Sequence, residues 1–242
     1  MPPGRGKSLV AAGLACVLAA AGIGLWISQV PRPAAIAPAP FATPPAAPRI
    51  VAMGTSLTAN YTWPGAMEKL LSACLGVPVD LTVVAKAGQT SDWGAANLQR
   101  VIAARPDAVL VEFIANDSDL RHHLSPRRSL VLHTEIIDRI RAALPDTRIL
   151  LIGTNPVFGL RRLLRPRMGA YLANYAALAD RDPAIGLLDM APYWRQRWGD
   201  SDPRRDLPDG LHPQAAAASA VMAGPTGKAL AALWNRPCDV SI

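Results

Sequence analysis

The chain has 242 residues, half of them hydrophobic, 18% charged, with a formal net charge of +7. That length holds one sizeable domain and an appendage, and the apolar share excludes a disordered polymer. Arg5, Lys7 and Arg32 lie in an acid-free first stretch, which leaves +4 on residues 49–242, a mild excess that excludes a nucleic-acid-binding footprint.

Residues 1–30 begin with Arg5 and Lys7 and continue into Ser8 to Val30, which carries no charge. Such a run exceeds the usual core of a secretory signal and matches the thickness of a bilayer. The small-residue site Ala35-Ile36-Ala37 is followed directly by Pro38, and Cys16 has Gly13 where lipoprotein processing wants leucine. The expectation is an uncleaved single-pass anchor in the inner (cytoplasmic) membrane, in preference to a cleaved signal that would release the protein. Arg5 and Lys7 hold the N-terminus in the cytoplasm, so the remainder is periplasmic or otherwise extracytoplasmic. Residues 31–48 form a Pro/Ala-rich linker, read as an extended spacer that builds no core and holds the domain off the membrane. The folded domain is expected over residues 49–242.

Five apolar runs read as buried parallel strands: Ile50-Met53, Val79-Val84, Ala108-Phe113, Arg148-Ile152 and Ile185-Asp189. Helical patterns lie between them, at Trp63 to Ala73, Ser91 to Ala104, Ser125 to Leu144 and Arg167 to Asp180. A last one, Pro213 to Trp234, is expected to break at Gly224-Pro225. Alternation of this kind predicts an α/β fold, a three-layer α/β/α sandwich around a five-stranded parallel sheet. Cys74 and Cys238 are the two cysteines of an exported domain; their spacing fits no metal motif, and a disulfide between tail and first helix is left open.

Ligands of parallel sheets gather at the carboxyl ends of strands, so residues there are read for chemistry. Ser56, in Gly54-Thr55-Ser56-Leu57, follows the first strand as a candidate nucleophile. Gly88 follows the second, able to bring a bare backbone N–H to a substrate. Asn116 follows the third, with an amide donor for a developing negative charge, and Asp117 beside it is expected to fix the loop through its backbone. Asp209 and His212, in Asp209-Gly210-Leu211-His212, precede the last helix; a helical turn there would set carboxylate against imidazole.

Taken together, a serine, glycine, asparagine and Asp-x-x-His in that order resemble the block pattern of the SGNH (GDSL-type) hydrolases, over essentially Arg49 to Trp234. The resemblance implies a flavodoxin-like fold and a serine esterase. It assigns Ser56 as nucleophile, His212 as base, Asp209 as its orienter, and Ser56, Gly88 and Asn116 as the oxyanion hole, with no metal or other cofactor. Two positions depart from the pattern. Thr55 stands where the family has an acid outside the triad, and Ile114 replaces a glycine, with an expected effect on the pocket wall near Asn116. The absence of a Gly-x-Ser-x-Gly elbow argues against the α/β-hydrolase fold, and that of Gly-x-Gly-x-x-Gly against a dinucleotide-binding domain.

The expected function is hydrolysis of carboxylic esters on a small molecule or glycan, an envelope or exported polysaccharide being the substrate that fits the location. An O-acyltransferase with the same triad and a non-catalytic glycan-binding module are the alternatives. Tyr61, Trp63 and Trp93 are read as core or rim packing, with sugar stacking as the second reading. His122, His123 and His133 are expected at the surface. The basic run Arg161 to Arg167 is a solvated loop or a contact for an anionic polymer or lipid headgroups.

Overall fold

The computed structural model describes residues 35–238. The expected anchor, Ser8 to Val30, lies outside the described residues, and among those described no helix is long and apolar enough to cross a membrane. The sheet has six strands: β1 (Ala35–Ile36), β2 (Arg49–Gly54), β3 (Asp80–Ala85), β4 (Ala108–Glu112), β5 (Arg148–Ile152) and β6 (Ile185–Leu188). Their order is β1-β6-β5-β4-β2-β3, with the last five parallel and β1 antiparallel on the β6 edge. The five expected strands all form, each boundary within one residue of its apolar run. The sixth makes the sheet mixed.

Strand side chains alternate between faces, and so build two cores. Ile50, Ala52, Leu110 and Ile152 pack under α2 (Trp63–Leu75), α9 (Ala191–Trp198) and α10 (Ala215–Leu233). Val51, Met53, Val109, Val111 and Leu151 face α3 (Ser91–Ala96), α4 (Leu98–Ala103), α6 (Pro126–Ala143) and α8 (Met168–Ala179). Helix α6 starts where Ser125 accepts a hydrogen bond from the Arg128 N–H at 3.1 Å and Pro126 occupies the first turn.

Two element expectations are corrected. The Ser91 to Ala104 pattern is two helices meeting at Asn97, where the backbone leaves the helical region (φ −101°, ψ 8°) and the side-chain amide donates to the Trp93 carbonyl at 3.0 Å. The last helix runs through Pro225 without interruption. Gly224 has no Cβ to meet the proline ring, and a Cβ at Gly227 would stand 3.8 Å from the Leu70 Cβ, so this small face packs closely on α2 and that packing outweighs the one lost hydrogen bond. Helix α9, which none of the expected patterns covers, carries Trp194 into the core.

The Pro/Ala stretch is also corrected. Residues 35–48 are not a spacer: Phe41 is buried and meets Trp234 edge-on at 4.9 Å, and the Arg148 guanidinium donates to the Ala39 and Pro40 carbonyls. Prolines are tolerated because this is an edge, where missing N–H groups break no ladder. Gly186 permits the approach, since a Cβ there would stand 2.6 Å from the Ile36 carbonyl.

Cys74 and Cys238 are joined as a disulfide with Cα atoms 5.5 Å apart, fastening the tail to α2. The bond closes a long loop, and its reduction is expected to lower stability by about 2–5 kcal/mol. Urea unfolding with and without dithiothreitol checks this; coincident midpoints would show the bridge to be dispensable.

Candidate functional site

The chain reverses its direction of travel across the sheet between β2 and β4, and such a switch point opens a crevice at the carboxyl ends. Ser56 and Asn116 follow those two strands. Ser56 opens the short helix α1 (Ser56–Ala59), whose N-cap is Thr55; the Thr55 hydroxyl accepts from the Leu57 N–H at 3.2 Å. Gly54 is required by close approach, since a Cβ would stand 2.6 Å from the Thr58 hydroxyl and 2.8 Å from the Glu112 carbonyl. A small apolar cluster of Leu57, Ala115, Val157 and Leu211 lies under the turn.

Ser56 Oγ lies 3.1 Å from His212 Nε2, and His212 Nδ1 lies 2.9 Å from Asp209 Oδ2. The Asp209 Oδ1 accepts the backbone N–H groups of Leu211 (2.9 Å) and His212 (2.7 Å). Burial opposes ionisation of Asp209, but the hydrogen bonds from the His212 ring, its backbone and Leu211 hold the carboxyl well below the usual range. It therefore stays an acceptor, which makes Nδ1 the protonated ring nitrogen and leaves Nε2 to accept from Ser56.

The expected helical turn is not what brings these two residues together. The segment is a loop in which Gly210 has φ +80° and a Cβ would stand 2.5 Å from the Phe158 carbonyl. Phe158 N–H donates back to the Gly210 carbonyl at 2.8 Å, and the buried Asn155 amide holds the Leu211 carbonyl at 2.9 Å. Tyr61 donates to the Pro213 carbonyl at 2.8 Å from the other side.

Gly88 is the third residue of a tight turn at φ +74°, a conformation that favours glycine. Its N–H, like that of Ser56, makes no hydrogen bond among the described residues. Asn116 lies on the short helix α5 (Ile114–Asp117), and its amide donates to the Gln89 carbonyl at 2.8 Å, which orients the group and leaves its second N–H free. Ser56, Gly88, Asn116 and His212 line one open cleft of about 470 Å3, with Arg121 and Arg161 on its rim and the buried Arg165 in its wall. A larger hollow of about 600 Å3, around Asp107 and Arg148, lies at the amino ends of the strands and is lined by no serine, cysteine or histidine.

Several expectations are sharpened or overturned here. Asp117 is buried and accepts the Ser91 N–H (2.8 Å), the Ser91 hydroxyl (2.7 Å) and the Ser129 hydroxyl (2.6 Å), pinning α3 and α6 to the Asn116 loop. His133 is not at the surface. It shares the inner stripe of α6 with Ile136, Ile137 and Ile140, and is 1% exposed. Burial pushes its pKa down, and the neutral ring lies 2.8 Å from the Ser129 carbonyl and 2.9 Å from the Tyr175 hydroxyl. His122 and His123 are exposed as expected. Trp63 is buried with its N–H on the Leu57 carbonyl at 2.7 Å; neither it, Tyr61 nor Trp93 lines the cleft, so none is a stacking platform there. Ile114 faces away from the cleft into a neighbouring apolar hollow of about 500 Å3 with Val157, Phe158 and Met168.

Two contributors escaped the sequence reading. Glu112, fully buried at the end of β4, accepts at Oε2 from the Thr55 N–H (3.1 Å), the Thr55 hydroxyl (2.8 Å) and the Thr58 hydroxyl (3.2 Å), while Oε1 has no partner among the described residues. Burial pushes its pKa up to about 7 against those three hydrogen bonds. The available signal was an acid inside an otherwise apolar strand run. Arg165, 1% exposed in side chain, pairs with buried Asp119 at 2.7 Å and donates to the Ala115 carbonyl at 2.6 Å, bracing the loop that carries Asn116. Arg161 reaches the outer face of Asp209 at 2.9 Å. Nothing in the basic run distinguished these structural arginines from solvated ones.

Among solved structures, the fold is similar to TesA (22% identity, TM-score 0.59, covering 76% of this chain and 99% of that one). It is also similar to a lipase/acylhydrolase from Enterococcus faecalis (19%, TM-score 0.63, 80% and 100%). A catalytic mutant of the acetylxylan esterase Axe2 from Geobacillus stearothermophilus gives 16% identity and TM-score 0.65, over 76% and 94%. No curated protein matches the chain. Residues 51–220 match the GDSL-like Lipase/Acylhydrolase family, whose span covers the Ser56, Asn116 and His212 segments alike. That match extends over more than two thirds of the sequence, and the chain therefore belongs to the GDSL-like Lipase/Acylhydrolase family, a serine hydrolase acting on ester bonds.

Proposed function

We propose that the protein is an exported, membrane-tethered esterase that removes short acyl groups from an envelope or exported glycan through Ser56, His212 and Asp209. The observation that carries this reading is the unbroken hydrogen-bond chain from Ser56 Oγ through His212 to Asp209 at the switch point of the sheet. His212 Nε2 takes the Ser56 proton as Oγ attacks the ester carbonyl. The oxyanion is held by the free N–H groups of Ser56 and Gly88 and the second amide N–H of Asn116. The tetrahedral intermediate collapses with return of that proton to the leaving alkoxide, giving an acyl-Ser56 ester. Water, deprotonated by His212, then attacks the acyl carbonyl, and collapse of the second intermediate returns the proton to Ser56 and frees the acid.

An exported setting is supported by the uncharged Ser8 to Val30 run and by the Cys74–Cys238 disulfide, a bond that persists in oxidising compartments. A glycan as alcohol partner is supported by the open cleft and by the fold shared with an acetylxylan esterase. Incubation with acylated glycans and with p-nitrophenyl esters of graded chain length tests the reading, the short esters being turned over fastest. A fluorophosphonate that leaves Ser56 unlabelled would overturn it. Asn116→Ala is expected to lower kcat by on the order of 100-fold or more with little change in KM, since the donor acts on charge that develops in the transition state. A purely structural amide would instead lower the melting temperature and leave kcat per folded molecule intact.

A further inference from the structure

Two loops beside the cleft form one rim. Residues 119–128 and 159–168 are joined by the Leu120 N–H on the Leu164 carbonyl at 2.9 Å and by the Arg165–Asp119 ion pair at 2.7 Å. This rim is apolar and cationic at once. Leu160 and Leu163, on the short helix α7 (Gly159–Leu163), are 72% and 71% exposed, and Leu120 is 54% exposed. The other large exposed apolar side chains among the described residues are valines: Val77, Val83 and Val131. Arg127, Arg162 and Arg167 project from the same loops with no acidic partner among the described residues. The single acid of the two loops is Asp119. Burial pushes its pKa up, but hydrogen bonds from Arg121 and the charge of Arg165 outweigh this and hold it down at about 2. It is thereby spent on arginines already present.

Exposed leucines call for an apolar phase and unpaired arginines for anions. The headgroup–acyl boundary of an anionic bilayer supplies both within a few ångströms, whereas a soluble anionic polymer supplies only the second. The topology agrees. Ala35 pairs with Leu188, the last residue of β6, so the chain enters the sheet at its carboxyl end, the end that carries Ser56 and both loops.

We infer that the Leu160/Leu163 and arginine rim docks on the surface of an anionic lipid bilayer, with the leucines in the interface and the arginines on headgroups. The Ser56 cleft then opens along the membrane plane, toward esters displayed at that surface. The rim stands independently of the catalytic reading of Ser56.

The test uses residues 34–242, a compact unit that holds both cores and the disulfide and lacks the apolar run. It is mixed with vesicles of phosphatidylcholine containing phosphatidylglycerol, and separately with pure phosphatidylcholine. Co-sedimentation is expected with the first alone, weakening as salt is raised. The double substitution Leu160→Ser with Leu163→Ser should weaken it about tenfold or more, and Arg162→Glu with Arg167→Glu by a similar factor. Unfolding temperatures of both variants should match the parent, since all four side chains point to solvent. Failure of the parent to sediment overturns the inference. So does a leucine variant that binds like the parent, and retention of that variant on alginate would reassign the rim to an anionic polymer. Turnover of p-nitrophenyl acetate in the same samples reports on Ser56 separately: an active enzyme that ignores the vesicles overturns docking alone.

Discussion

Ser56→Ala is expected to lower kcat/KM for a small aryl acetate by on the order of 10⁴-fold or more, with unfolding temperature unchanged. The substitution deletes only Oγ, whose one hydrogen-bond partner among the described residues is His212 Nε2 at 3.1 Å. The turn itself is held by Thr55, Thr58 and Glu112, so the fold loses nothing. Asp209→Asn should bring a comparable loss. An amide can present its N–H₂ to His212 Nδ1, which favours the tautomer with the proton on Nε2 and leaves no base for Ser56. Because Arg161 also rests on Asp209, that variant loses an ion pair at the rim as well. Retained turnover in Ser56→Ala would remove the assignment; a loss confined to Asp209→Asn would point to a role in loop geometry alone.

The second large effect concerns Glu112. Its folded-state pKa is about 7, raised from the ordinary 4.5, so the native state binds the proton more tightly than the unfolded chain. The associated stability is fully present below pH 4.5 and is lost as pH rises through 7, a change of about 3 kcal/mol. Glu112→Gln keeps an oxygen for Thr55 and Thr58 and removes the titration, so its stability should be flatter between pH 4.5 and 7 than that of the parent. Glu112→Ala strands the Thr55 N–H and two hydroxyls and leaves a cavity behind the Ser56 turn. It is expected to cost about 3–5 kcal/mol and to lower kcat as well, because Ser56 is then less firmly held. Chemical denaturation of parent, Gln and Ala forms across pH measures this directly. Identical pH profiles for parent and Gln forms would show that Glu112 stays ionised throughout.

Ser56, Gly88, Asn116, Asp209 and His212 stand out as candidates in the sequence because each follows a strand or precedes a helix that local patterning marks. The parallel strands were legible for the same reason: a strand buried on both faces is written as an unbroken apolar run, and five such runs stand in the chain. His133 keeps step with Ile136, Ile137 and Ile140 on α6, so helical periodicity places it inward although its side chain is polar.

Other features have no local signature. Glu112 meets Thr55 from 57 positions away, and Asn155 grips Leu211 from 56, so neither contact follows from any window of sequence. Composition alone made residues 35–48 a spacer, because proline and alanine describe how a segment behaves unpartnered. Leu233, Trp234 and the β6 edge give it partners. The same holds for the Arg161 to Arg167 run, in which Arg165 is buried against Asp119 while Arg162 and Arg167 face outward. Local pattern thus determined which elements form and which chemical groups stand at their ends, since periodicity and caps act within a few residues. Distances between those groups, the burial that sets Glu112 and Asp209 apart, and the division of arginines between core and rim were decided only when remote segments packed, because desolvation and pairing belong to the assembled surface.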